Sequence, residues 1–133
     1  MASLADIRTA IATTLQTALG DGYTVSPYVL STPSSQAVQI VPGIINKHAA
    51  MGDGAEWWHM RIQAFLGMTT DVGAQVNADQ FLEDDPISAA LEQNPTLSGA
   101  CDDLIVDTVE YRVWEHRSVG LIVGAEYSLR ILV

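Results

Sequence analysis

The stretch AEWWHMRIQAFLG, residues 55–67, constrains the fold more than any other part of the chain. Trp58, Met60, Ile62, Ala64 and Leu66 recur at every second position, the period of a β-strand and not of a helix. Trp57, His59, Arg61, Gln63 and Phe65 occupy the alternate positions. Such a strand belongs to a sheet with its core on one side. Its second side is amphipathic, and calls for partial cover by helices or by a neighbouring subunit.

A helix precedes this strand. Over residues 3–19, Leu4, Ile7, Ile11, Leu15, Ala18 and Leu19 fall on one helical stripe. Ser3 and Asp6 have the spacing of a capping box, and Gly20 and Gly22 supply the stop. YTVSPYVL then reads as extended, and Pro27, with no N–H to donate, makes it an edge or irregular strand. AVQIV reads as a short strand closed by Pro42-Gly43. IINKHAAMGDG, residues 44–54, has no strong period and ends in a Gly-Asp-Gly turn, so it is expected to be a long loop.

After the alternating strand, residues 71–83 read as a helix with Ala74, Ala78, Phe81 and Leu82 inward. A second, short helix starts at Asp85-Pro86, because Asp is a good N-cap and Pro suits the first helical position. Ile87, Ala90 and Leu91 are its inward residues, and Asn94-Pro95 ends it. DLIVDTVEYRVWE and VGLIVGAEYSLRILV are two long strands joined by a short polar loop, a terminal hairpin. In the last strand Val119, Leu121, Val123, Ala125, Tyr127, Leu129, Ile131 and Val133 share one face, with Glu126, Ser128 and Arg130 on the other. Strands and helices are grouped instead of alternating. The expected fold is a single α+β domain spanning residues 1–133: a largely antiparallel or mixed sheet, helices on one face, an N-terminal helix and a C-terminal hairpin.

Charge narrows the function classes. Sixteen acids against six bases give a net charge of −10 over 133 residues. Between Arg61 and Arg112 there are ten acids and no base. Such a surface repels phosphate and gains nothing from counterion release, which argues against direct nucleic-acid binding. It suits a solvated face, a surface that DNA must pass without sticking, or one that meets a basic partner. The single cysteine rules out an internal disulfide, and no stretch has the roughly 20 apolar residues of a membrane span. MASLADIRTA lacks the basic start and apolar run of a signal peptide, so an intracellular product is expected.

The candidate chemistry is thin. Asp84-Asp85 and Asp102-Asp103 stand where Asp caps helices and forms turns, and no nucleophile or base has the spacing to join them. His48, His59 and His116 form no zinc-binding pattern. Cys101, beside two acids, reads as a small buried residue. Trp57, Trp58, Trp114 and Phe65 read as core or subunit-interface aromatics, since a base-stacking platform needs more cations than Arg61 and Arg112. No catalytic residue, cofactor or metal is assigned.

Taken in order, ADIRTAIATTLQTAL, YTVSPYV, WWHMRIQAFLG, TTDVGAQVNADQFLED, PISAALEQNPTLSGACDDLIVDTVEYRVW and GAEYSLRILV resemble the tail terminator proteins of long-tailed bacteriophages, also called tail completion or head–tail joining proteins. The short helix, then NPTLSG, paired acids and a strand is the most family-like phrase. The resemblance implies a non-enzymatic structural virion protein, assembled in the host cytoplasm and resident in the tail or neck. Such proteins form a ring, typically a hexamer, that caps the tail tube, ends its polymerisation and offers the joining surface to the head connector. The implied partners are other copies of itself, the tail tube protein and the head–tail connector protein. DNA passes through the ring without being bound specifically, and no membrane is involved. The expected contact residues are Ile44, Asn46, Lys47, His48, Met51 and Asp53 on the loop, with Trp57, His59 and Arg61 on the strand that follows. The open edge near Pro27 is a further expected contact. The alternatives are another neck or head-completion protein, a subunit of a tube-like injection device, or a small α+β ligand-binding or enzymatic domain. That last reading requires His59, His116 and an acid to converge on a pocket under loop 44–54.

Overall fold

The computed structural model describes residues 3–20, 22–29, 36–46, 57–68, 72–101, 103–116 and 120–132. Helix α1 spans Leu4–Leu19, followed by strands β1 (Thr24–Ser26), β2 (Ala37–Asn46) and β3 (Trp57–Met68). Helices α2 (Val72–Asp84) and α3 (Pro86–Glu92) come next, then a single 3₁₀ turn at Leu97–Gly99. Strands β4 (Asp103–His116) and β5 (Gly120–Leu132) close the chain. The five strands form one mixed sheet in the order β1-β2-β3-β5-β4. Only β1 and β2 run parallel; every other pair is antiparallel. The α+β class, the N-terminal helix and the C-terminal hairpin are as the sequence predicts.

Local chemistry sets the element ends. The Ser3 hydroxyl accepts the Asp6 N–H at 3.1 Å and the Asp6 carboxylate accepts the Ser3 N–H at 3.0 Å, the expected capping box. Those bonds favour the charged carboxylate and hold the Asp6 pKa below its usual value. At the other end Gly20, with φ +79°, takes a conformation that suits glycine. Gln16 then staples the turn into β1: its amide donates to the Gly20 and Tyr23 carbonyls and accepts the Val25 N–H. The buried stripe of α1 is Ile7, Arg8, Ile11, Ala12 and Leu15, while Ala18, expected inward, is exposed. Arg8 is buried because it ties down the sheet edge. Its guanidinium donates to the Pro27 carbonyl at 3.2 Å and lies 4.7 Å over the Tyr28 ring.

All three helices pack on one face of the sheet, where they bury a single large core. Val38, Ile40, Trp58, Met60, Ile62, Ala64, Leu66 and alternate residues of β5 meet Ile7, Ile11, Leu15, Ala78, Phe81, Ile87 and Leu91. Tyr127, fully buried there, keeps its hydroxyl without a hydrogen bond of good geometry. Burial, and then the negative charge of Asp85, raise its pKa. Asp85 caps α3 through Ser88 N–H as expected, but from a left-handed backbone conformation (φ 46°, ψ 57°). Asn94 holds the following turn, accepting Ser98 N–H at 3.0 Å and reaching Thr14 of α1. Cys101 is buried, its thiol 3.5 Å from the Pro95 carbonyl, and fills space as anticipated.

Two strand readings need correction. β2 does not close at Pro42-Gly43; it runs on to Asn46. β1 covers only Ala37–Gln39, so beyond Gln39 β2 is an edge strand, where a missing N–H costs no ladder bond. A bulge between Pro42 and Ile45 absorbs the irregularity. Gly43 is needed at that bend, because a Cβ there would collide with the His59 carbonyl oxygen. Ile44–Asn46, expected in a loop, are therefore strand residues, and 47–54 lie outside the described residues. Leu121 has the core parity but is 47% exposed, alongside exposed Tyr111 and Val113, because that end of the hairpin extends past the helices.

Candidate functional site

No helix or strand among the described residues packs on the second face of the sheet. Strand register arranges its side chains in rungs. At one end Ala37, Phe65 and Ile122 form a small buried cluster with Trp114, whose ring meets Phe65 edge-to-face at 5.0 Å. Gly124 opens room for this cluster: a Cβ there would collide with the Ala64 carbonyl and press on the Trp114 ring.

The next rung is polar and crosses four strands. Gln39, Gln63, Glu126 and Glu110 are direct register partners. Gln39 donates to Gln63 at 2.7 Å, and Gln63 donates to Glu126 at 3.0 Å. Arg112 reaches Glu126 at 3.5 Å and Glu110 at 3.0 Å. Gln39 and Glu126 are only 6% and 7% exposed, so this row is a hydrogen-bonded layer laid flat on the sheet.

Beyond it the face opens. Val41, Arg61, Ser128 and Thr108 make the third rung, and His59, Arg130 and Ile105 the fourth. Trp57 and Leu132 complete the end. A bulge between Val106 and Thr108 leaves Asp107 unpaired in β4 and presents it to Arg130. Both Asp107 oxygens accept the Arg130 Nε–H at 2.9 Å, and the same guanidinium sits 5.5 Å from the Trp57 ring. Between these groups lies a depression of about 360 Å³ lined by Gly43, His59, Met60, Arg61, Asp107, Ser128 and Leu129. Arg61 is exposed and has no ion pair among the described residues.

Of the residues expected to make contacts, Trp57, His59 and Arg61 are brought together on this open half. Ile44 and Asn46 lie on the neighbouring edge of β2, with Asn46 opposite Trp57. Lys47, His48, Met51 and Asp53 fall outside the described residues. The edge near Pro27 is present, tied back by Arg8.

Ser128, His59 and Asp107 are the residue types of a hydrolytic triad, and all three line the depression. Their bonding is different. Asp107 is gripped by Arg130, and no hydrogen bond links His59 to either of the others among the described residues. The backbone register sets His116 and His59 far apart. Their partners on β5, Gly120 and Arg130, are ten residues apart, about 33 Å along a strand. A pocket built on both histidines is incompatible with this register. No cluster of three metal-ligating side chains occurs among the described residues. On the helical side, a groove between α1 and α3 is lined by Thr13, Thr14, Thr17, Gln93, Asn94 and other uncharged residues.

Sequence reasoning assigned Gln63, Glu126, Ser128 and Arg130 to the second face but missed the polar row and the Arg130–Asp107 pair. A signal for the second was present in β4. Apolar parity runs Leu104, Val106 and then Val109, Tyr111, Val113, a phase break at Asp107-Thr108 that marks the bulge.

No family model and no curated protein matches the chain. No helix among the described residues is long and apolar enough to cross a membrane.

Proposed function

We propose that this chain is a structural virion protein of a long-tailed bacteriophage, a tail terminator. In this reading six copies form a ring that caps one end of the tail tube, halts tube growth and presents the joining surface to the head connector. The observation that carries the reading is the division of the sheet. One face is sealed by all three helices, whereas the other ends in an open half bearing Trp57, His59, Arg61 and Arg130. Trp and Arg are side chains enriched where proteins meet proteins. The order of elements supports it too: a capped helix, three strands, two helices joined at Asp85-Pro86, and a terminal hairpin.

The charge fits the same role. Exposed Asp84 at the end of α2 and exposed Glu92 on α3 give the helical layer a surface that DNA leaves readily. The test is tube assembly in vitro: tail tube protein is polymerised with and without this protein, and lengths are measured by electron microscopy. The reading predicts that tubes stop growing and carry a cap at one end. Tubes of unchanged length, with no cap, contradict it.

A further inference from the structure

The outer ridge of α2 is unusual for a solvent-facing helix. Val72, Val76, Asp79 and Glu83 fall within about 60° of one another around the helix axis, diametrically opposite buried Ala74, Ala78 and Phe81. Val72 is 71% exposed and Val76 60% exposed. Solvent-facing ridges are normally polar, and valine is also a weak helix former, so two valines there serve neither the core nor the helix. Beside them stand two exposed carboxylates.

The open half of the sheet offers a cation to this ridge, and of its own acids Asp107 is held by Arg130 while Asp103 lies at the far end, opposite Leu132. Arg112 and Arg130 are already paired within the chain, which leaves Arg61 as the cation on this face with no ion pair among the described residues. Half-buried Val41 stands beside it in the register, and half-buried Ile105 and Trp57 lie on the rungs beyond, on the same face. The dimensions agree. From the Val72/Val76 pair to the Asp79/Glu83 pair is about 10 Å along a helix, and from Trp57 to Arg61 is about 13 Å along a strand.

We propose that α2 of one copy docks on the open sheet half of the next, with Asp79 and Glu83 at Arg61 and Val72 and Val76 against the apolar side chains around it. This inference rests on the ring reading and names the surfaces that build the ring. Because the two surfaces are different and lie on opposite sides of the domain, the contact is head-to-tail, the type that closes into a ring when the rotation between successive copies permits it.

The experiment uses two charge reversals, Arg61→Glu and Asp79→Arg/Glu83→Arg, in the full chain, with folding checked by circular dichroism. Wild type, each variant and their equimolar mixture are compared by sedimentation and by tube-length assay. Each variant alone is expected to lose self-association and capping by about ten-fold or more. The mixture is expected to regain both, since the carboxylate introduced on the sheet of one variant then faces the two guanidinium groups introduced on α2 of the other. A folded α2 variant that caps like wild type, or a mixture that rescues nothing, overturns the proposed contact while leaving the ring reading intact. Wild type that neither self-associates nor caps tubes defeats the ring reading itself. Salt-sensitive binding of duplex DNA that Arg61→Glu abolishes, with capping unchanged, would assign this face to DNA and also overturn the contact.

Discussion

Gln63 donates its side-chain amide to Glu126 across the centre of the sheet, 3.0 Å from nitrogen to oxygen, while accepting from Gln39 on its other side. One side chain thus serves two nearly buried partners. Gln63→Leu removes the acceptor used by Gln39 and a donor used by Glu126 at once. The expected cost is about 2 kcal/mol, the scale of taking partners from buried polar groups, read from urea unfolding. Arg130→Ala is expected to cost less, about 1 kcal/mol, because its pair with Asp107 is substantially exposed.

Gly124 is a packing requirement and not a flexible joint. Adding one methyl places it against the Ala64 carbonyl of the neighbouring strand and the Trp114 ring. Gly124→Ala is expected to destabilise by about 2–3 kcal/mol, with β3 and β5 forced apart. Gly99 is the control: a Cβ there meets nothing, and only its positive φ opposes the substitution, at about 1 kcal/mol. Thermal melts of the two variants separate the mechanisms.

Tyr127 links stability to alkaline pH. Its hydroxyl is buried, so the folded chain holds the proton above the usual value of 10.0 at which the unfolded chain releases it. A raised folded pKa contributes fully below pH 10, and that contribution is lost as the pH rises further. Stability should fall by about 1.4 kcal/mol per pH unit from this residue. Tyr127→Phe should flatten the decline, leaving the smaller share due to Tyr23, whose pKa burial also raises. At neutral pH the same variant should be as stable as wild type or more so, because the deleted hydroxyl had no well-aligned partner. Denaturant titrations across the alkaline range check both.

The two faces of the sheet differ in how much of them was legible in the sequence. Alternation in β3 alone separated the core residues Trp58, Met60, Ile62, Ala64 and Leu66 from the second face, and the structure keeps that division throughout. The Ser3–Asp6 box and the Asp85-Pro86 start were equally plain, because caps depend on residues a few positions apart. What stayed hidden depends on partners distant in sequence. Gln63 meets Glu126 only once β3 and β5 are paired in one register, and Pro42 is tolerated in β2 only because β1 stops short of it. Asp85's left-handed backbone left no trace either, since Asp before Pro suggests a cap whatever its φ. Of the open half, Trp57, His59 and Arg61 were identifiable from parity, but the depression that His59 and Arg61 line is completed by residues of two bulges, Gly43 and Asp107.

The most direct test of the central claim is the mass of the assembly, measured by light scattering on the protein alone and mixed with tail tubes. A ring of six copies, formed alone or only at the tube end, is the predicted result. A strict monomer that neither binds tubes nor limits their length would contradict the account.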